Sequence, residues 1–299
     1  MSIVTFPHTL TNIVIVNASP VTKELPTALL TSLKLVYPYA HKVTTASYYQ
    51  LNEETILYII ICPAGYGISN PLLKPTYYIV YQLEPSTSHY LNNSYYLDFL
   101  RGALYIWDYS LKNVTLLTNQ GISTTYIPPG HTALISHPEL YQYHDTYKDT
   151  YKDIDVSFLG WDEPPRRQFI KNQLLAAGLN IYYNCTLTLD QMQDIIRRSK
   201  VCLNYRAYDH TTCLETVRLN ILLSNQACIV NEEINDKELD IYKDNLITVS
   251  YDKLVDTCVA LVKNFVTRTA TSIKSYEWYK HHRQWHQIVN FNYLLPPLL

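Results

Sequence analysis

Short, nearly uninterrupted apolar runs, each separated from the next by a helical pattern, set the strongest limit on what this chain can fold into. NIVIVN (12–17), TILYIIIC (55–62), TYYIVYQLE (76–84), ALYIWD (103–108) and STTYIPPG (123–130) read as strands. A strand with one wet face alternates apolar and polar residues. These runs do not alternate, so both faces are covered. ELPTALLTSLKLV and SHYLNNSYYLDFLRG, which fall between runs, carry helical spacing. Buried strands joined through helices make a parallel sheet with helices on both faces. The pattern breaks at SHPELYQYHDTYKDTYKDID, a polar stretch with a DTYK duplication that reads as a linker. It restarts with IDVSFLG (154–160), NIYYN, VCLNY, ACIVN and LITV. The expected fold is α/β, with two Rossmann-like βα domains facing a central cleft at the carboxyl ends of their strands. Expected boundaries are 1–137 for the first domain, 138–153 for the linker, 154–270 for the second domain and 271–299 for a C-terminal helix and tail.

Charge and rare residues exclude several functions. The net charge of −2 and the lack of a basic stripe argue against nucleic acid as a partner. None of the six cysteines forms a C-x-x-C pair, and several sit in apolar runs such as IIIC and QACIV, so free thiols in a reducing compartment are expected. The N-terminus has no basic region before an apolar stretch, and no run of eighteen apolar residues occurs, so a cytoplasmic location is expected. The N-x-S/T triplets at Asn17, Asn92, Asn113 and Asn184 are then chance matches. The 28 tyrosines suit either sugar-binding surfaces or simple drift in composition, and drift is the simpler reading. With only 7 glycines, neither G-x-G-x-x-G nor G-x-x-x-x-G-K-[ST] is present, which disfavours a dinucleotide enzyme or a P-loop NTPase. Gly65-Tyr66-Gly67 reads as a plain loop. His281, His282 and His286 lack a suitably spaced carboxylate, so no metal and no resident cofactor are expected.

Three stretches carry chemistry. In FLGWDEPPRRQFI (158–170) a strand ends at Gly160 and a helix begins near Pro165, with Arg166 and Arg167 in its first turn. Cations there oppose the helix dipole. A bound pyrophosphate offsets that cost, and so does a pair with Asp162 or Glu163. In NYRAYDHTTCLETVRLN (204–220) the pattern Thr212-x-x-Glu215 reads as a capping box and Glu215 with Arg218 as a surface pair. The loop nevertheless lies at the carboxyl end of a strand, where Asn204, Tyr205, His210, Thr211 and Thr212 can meet an anion. In the first domain Glu84, His89 and Asp108 each follow a strand and are candidates for acid/base work, although Asp108 also suits a helix cap.

Taken in order, YIVYQLE, IWDYS-x-x-N, Y-x-P-P-G, DVSFLG followed by two arginines, K-V-C-L-N-Y, LE-x-V-R-L-N-x-L-L-S-N and a strand ending in Glu resemble a family of bacterial and large-virus glycosyltransferases of the GT-B fold. The resemblance runs from about residue 76 to residue 260. It implies a UDP- or GDP-sugar donor on the second domain, an acceptor on the first, and transfer of the sugar to a hydroxyl of a glycan or glycoconjugate without a metal. It implies Arg166 or Arg167 at the diphosphate, Glu215 at the donor sugar or ribose, and Arg218 in support. Where many relatives carry a second Glu eight residues after the first, this chain has Leu223, so the stereochemical outcome is not implied. The alternative is a non-catalytic module of the same fold that binds a glycan or a protein. The final helix, with Trp278 and Trp285, is a candidate for a return to the first domain, a homodimer contact or a peripheral membrane contact.

Overall fold

The computed structural model describes residues 10, 12–19, 22, 24–36, 43–66, 72–136 and 151–289. Most of the expected linker, Gly67 and the tail beyond Val289 lie outside the described residues. The chain divides into two compact units. Unit 1 is Met1–Pro129 with Trp285–Leu299, and unit 2 is Gly130–Gln284.

Unit 1 contains β1 (Asn12–Asn17), α1 (Glu24–Val36), β2 (Val43–Ala46), β3 (Ile56–Ile61), β4 (Tyr78–Gln82), α2 (Ser94–Arg101), β5 (Tyr105–Asp108), α3 (Leu111–Asn119) and β6 (Thr125–Tyr126). The sheet order is β2-β1-β3-β4-β5-β6, with every pairing parallel. In β3, Leu57 to Ile61 are all buried, and β4 is buried throughout, which is why neither alternates. Tyr81 lies between Trp107 and Trp285, with ring centroids 6.2 Å away on each side, and its hydroxyl donates to the Ile127 carbonyl at 2.8 Å. STTYIPPG yields only two strand residues, because Pro128 and Pro129 have no amide to donate to a ladder.

Unit 2 contains β7 (Ile154–Leu159), α4 (Pro165–Ala176), β8 (Ile181–Asn184), α5 (Leu189–Arg198), β9 (Ser199–Asn204), α6 (Thr216–Ser224), β10 (Ile229–Glu232), α7 (Leu239–Tyr242), β11 (Ile247–Val249), α8 (Leu254–Lys263) and α9 (Phe265–His282). The order is β11-β10-β9-β7-β8, again parallel. Its core packs Val156, Phe158, Val201, Leu203 and Val230 of the sheet against Ile170, Leu174, Leu254 and Cys258 of α4 and α8. Both sheets reverse direction of winding beside their first strand, between β1 and β3 and between β7 and β9. A doubly wound sheet binds its ligand outside the carboxyl ends of the strands at that point.

The expected single C-terminal helix is broken at Arg283 and Gln284. α9 belongs to unit 2, where the Tyr279 hydroxyl donates to Asn220 Oδ1 at 2.9 Å. The short α10 (Trp285–Ile288) belongs to unit 1 and packs on α1. All six cysteines are free. No helix among the described residues is long and apolar enough to cross a membrane.

Candidate functional site

At the switch point of unit 2, two guanidiniums pack against one ring. Arg167 comes from the first turn of α4 and is 4% exposed. Its guanidinium carbon lies 4.7 Å from the Phe158 ring centre, and that of Arg218, from α6, lies 4.6 Å from the same ring. Each arginine ties strand ends together through backbone carbonyls. Arg167 donates to Trp161 at 2.7 Å and Tyr205 at 3.2 Å, and Arg218 donates to Leu159 at 2.8 Å. Arg218 also donates to Asn204 Oδ1 at 2.9 Å, and Asn204 donates in turn to Asn231. Gly160 makes this packing possible: a Cβ there would fall 2.8 Å from the Phe158 ring and 3.1 Å from Arg218 Nη2.

Charge at this point is not balanced. Glu215 Oε2, part-exposed, lies 3.6 Å from Arg218. Arg167 has no carboxylate in its hydrogen-bond set, and its Nε is buried without a partner among the described residues. Burial, followed by the Arg218 charge, pulls the Arg167 guanidinium down to about 10. A buried and a part-buried cation side by side, with one part-exposed carboxylate next to Arg218, leave a field at this strand-end crevice that an anion relieves.

Arg166 is placed differently from its neighbour. It pairs with neither Asp162 nor Glu163; Asp162 is taken by Lys171 at 2.6 Å. Instead Arg166 makes a bidentate contact with Glu232, at 2.6 and 3.2 Å, and lies 2.6 Å from Asp209. Its guanidinium stacks on the Tyr251 ring at 3.8 Å. Arg206 reaches the same Glu232 with its side chain at 2.5 Å and its backbone amide at 3.0 Å. Burial works against the charged form of Glu232, but the hydrogen bonds from Arg166 and Arg206 outweigh it and hold the carboxyl below its ordinary value. Arg166 is thus already neutralised inside a closed network, whereas Arg167 is not.

The expected capping box is absent. α6 starts at Thr216, and Glu215 occupies the cap position without a side-chain cap bond. Its carboxylate turns to Arg218 instead, since a guanidinium offers it a stronger partner than a backbone amide does. Leu214 N–H is satisfied by Asp236 at 3.0 Å. The loop before it is braced by Arg206, which donates to the buried Thr211 carbonyl at 3.1 Å. His210 is exposed and stacks on Tyr208 at 5.3 Å, and Thr212 is part-buried. Tyr205 is buried, its hydroxyl 3.3 Å from that of Tyr183.

In unit 1 the three candidate acid/base residues have three different settings. Asp108 is fully buried and accepts from Gln82 (2.9 Å), Asn113 (2.9 Å) and the Ser110 amide (2.8 Å). It is a strut that clamps the carboxyl ends of β4 and β5. The His89 ring packs on Tyr90 at 4.2 Å. Glu84 is part-exposed; one of its oxygens accepts from Ser88 at 3.0 Å and the other lies 3.6 Å from the Cys62 sulfur. Burial, then the Glu84 carboxylate, push the Cys62 thiol well above its ordinary value, so the thiol stays protonated and donates. Among the described residues no group of three or more His, Cys, Asp or Glu is placed to hold a metal ion.

Solved structures share this architecture. An alpha-glucosyltransferase in complex with UDP-glucose and DNA containing an abasic site matches with a TM-score of 0.58 at 11% identity, over 94% of this chain and 98% of that one. The fold is GT-B. WaaG, a glycosyltransferase involved in lipopolysaccharide biosynthesis, matches with a TM-score of 0.59 at 10% identity, over 95% and 100%. T4 phage BGT in complex with UDP and Mn2+ matches with a TM-score of 0.54 at 12% identity, over 92% and 97%. At these identities the likeness is one of fold. No family model matches the chain, and no curated protein matches it in sequence. One expectation is overturned: nucleic acid was ruled out on net charge, yet this fold occurs in complex with DNA in the alpha-glucosyltransferase. A near-neutral chain total reports nothing about the local surface that meets a phosphate backbone.

Proposed function

We propose that this chain is a glycosyltransferase that moves a sugar from a UDP-sugar to an acceptor hydroxyl. The observation that carries the reading is the Arg167–Arg218 pair, packed on Phe158 at the switch point, with a part-exposed carboxylate beside Arg218. UDP as the nucleotide is supported by the fold's neighbours, which were solved with UDP-glucose or UDP.

In such a transfer the bond between the anomeric carbon and the diphosphate oxygen breaks, and negative charge grows on the leaving diphosphate. Donors fixed before the reaction stabilise that charge without reorganising, which is worth about 2.7–4 kcal/mol per donor group in comparable oxyanion sites. Arg167 and Arg218 fill this role, held rigid by their carbonyl contacts. Asn204, Gly160 and Tyr205 keep the pair in place, and Glu215 faces the sugar or ribose. Arg166 braces the loop at 206–211 through Glu232 and does not itself meet the diphosphate. In unit 1 Glu84 takes the acceptor proton, its carboxylate oriented by Ser88 and Cys62. Cations in the binding pair are supplied by the protein, so the reading has transfer proceeding without a divalent metal.

Thermal unfolding with UDP, UDP-glucose and GDP, each with EDTA or with Mn2+, tests the proposal. A ligand at a hundred times its Kd adds roughly 2.7 kcal/mol. An EDTA-insensitive rise with UDP that disappears in Arg167→Ala is the expected result. No rise with any diphosphate returns both arginines to a structural role and favours a non-catalytic module. A rise only with Mn2+ ends the metal-free reading.

A further inference from the structure

The crevice at the switch point of unit 1 is rimmed by tyrosines. Tyr48 follows β2, and Tyr66 ends the short turn Pro63–Tyr66 that follows β3. Because β1 lies between β2 and β3, a contact between these two residues spans the carboxyl end of β1. The rings stack with centroids 6.4 Å apart and planes 24° from parallel. Tyr49 meets the edge of Tyr66 at 5.6 Å and of Tyr58 at 6.1 Å. Beneath them Gly65 lies so close to the residue after β1 that a Cβ would fall 2.0 Å from the Ala18 carbonyl oxygen.

The rings are held in place. The Tyr49 hydroxyl donates to the Leu73 carbonyl at 2.8 Å, the Tyr66 hydroxyl to the Ser47 carbonyl at 3.4 Å, and Gln50 N–H to the Tyr58 hydroxyl at 3.1 Å. Yet Tyr48 is 77% exposed, so the platform presents a flat aromatic face to solvent. The turn carrying Tyr66 begins one residue after Cys62, whose thiol donates to Glu84.

Its chemistry selects among occupants. The segment 47–55 contains no Lys or Arg and carries Glu53 and Glu54, and the turn 63–66 has no charge at all. A polyphosphate chain needs cations along its track. A pyranose needs a flat ring for its apolar C–H face and hydrogen-bonding groups at its rim. We propose that Tyr48, Tyr49 and Tyr66 form an acceptor subsite for a neutral carbohydrate, stacked on Tyr48 and Tyr66 with its reactive hydroxyl directed to Glu84. The inference rests on the glycosyl-transfer reading for the meaning of "acceptor", but the platform and the donor site lie in different units and are measured separately.

Saturation-transfer NMR, with tyrosine ring protons irradiated, is the test. The probes are maltotriose, chitotriose and a 13-nucleotide DNA, single-stranded and duplex. The expected result is transfer to pyranose protons of at least one saccharide in the full chain, retained in Tyr48→Phe and lost in Tyr48→Ala. Because the residue is exposed, Tyr48→Ala leaves the core packing intact. With any saccharide that accepts sugar, Tyr48→Ala raises the acceptor KM about tenfold. Absence of transfer to every saccharide, a saccharide signal indifferent to Tyr48→Ala, or a Tyr48-dependent signal from DNA alone overturns the proposal. The UDP thermal shift reports the donor reading independently: lost with saccharide transfer intact, it ends the glycosyltransferase reading and leaves a carbohydrate-binding platform.

Discussion

Both units wind their sheets in the same spatial order, with the second strand outside the first and the third on its other side, yet their carboxyl edges carry opposite equipment. In unit 1 the edge holds amide and carboxylate groups, with Gln82 and Asn113 both donating to Asp108 and Asn113 also to the Glu84 carbonyl, and the same unit carries the exposed tyrosine stack. In unit 2 the edge holds Arg166, Arg167, Arg206 and Arg218 around two carboxylates of different burial, Glu232 and Glu215. The backbone plan supplies a crevice in each unit; the side chains decide what the crevice attracts. A function argued from this fold alone would therefore treat the two edges as equivalent, and the geometry says they are not.

The largest expected effect comes from breaking the Arg166–Glu232–Arg206 network of unit 2. Glu232→Gln leaves Arg166 and Arg206 facing each other with only the exposed Asp209 nearby. Removing one partner of a buried ion pair costs about 3–5 kcal/mol, so the midpoint of thermal unfolding should drop by roughly 10 °C. An unchanged midpoint would mean the network adds nothing and that Arg166 is free to meet a ligand. The next effect is on turnover: Arg167→Ala or Arg218→Lys should lower transfer about a hundred- to a thousandfold, since Lys keeps the charge but loses the fork that reaches Leu159 and Asn204 together. Single-turnover assays with UDP-glucose measure it. Equal losses from Arg166→Ala would erase the distinction drawn between the two adjacent arginines.

How far these residues could be read in advance follows from the range of each interaction. The strands β1, β3, β4, β5, β7, β9 and β10 were legible because burial on both faces leaves a continuous apolar run. β2 was not, because VTTA is a short edge strand that needs no such run. Thr188 and Gln191, three apart, form the capping box their spacing predicts, with both reciprocal bonds present. Thr212 and Glu215 have the same spacing, but α6 starts only at Thr216 and the Glu215 carboxylate lies beside Arg218. Sequence spacing saw Arg166 and Arg167 as one pair of cations. Only the fold separates them, since Glu232 lies 66 positions from Arg166. The signal for Glu232 in the sequence is a buried strand ending in an acidic residue. The tyrosine platform was hidden in an overall abundance of tyrosine, where nothing marks out Tyr48 and Tyr66 as neighbours.

A third pair of effects sets the units against each other through pH. Glu24, in the first turn of α1, is fully buried, and desolvation raises its carboxyl to about 7. The folded state therefore binds a proton that the unfolded state releases at about 4.5, and stability contributed by this group falls as pH rises from 4.5 to 7. His131 in unit 2 is the reverse. Burial, then the Lys280 and His281 charges, lower its imidazole to about 4, so its contribution falls as pH drops from 6.5 towards 4. Each effect is worth roughly 2–3 kcal/mol at its extreme. Unfolding midpoints measured from pH 4.5 to 8 should show Glu24→Gln stabilising mainly above pH 7, and His131→Gln stabilising mainly below pH 5. Flat differences for either variant would mean water reaches the group.

The smallest effect is the one that separates two helix starts within unit 2. Thr188→Ala removes a real cap and should cost about 1 kcal/mol, seen as a small loss in urea midpoint at constant slope. Glu215→Gln removes no cap, so its midpoint should stay close to wild type. Its consequence falls on the ligand instead. With the carboxylate gone, the Arg167–Arg218 pair is more positive, and UDP should bind as well as before or better. If Glu215 also meets the sugar, the extra affinity of UDP-glucose over UDP should vanish in the same variant. Titrating both ligands therefore tells whether Glu215 only tempers the arginines or touches the group being transferred. A destabilised Glu215→Gln with unaltered titrations would return it to the capping role that its spacing first suggested.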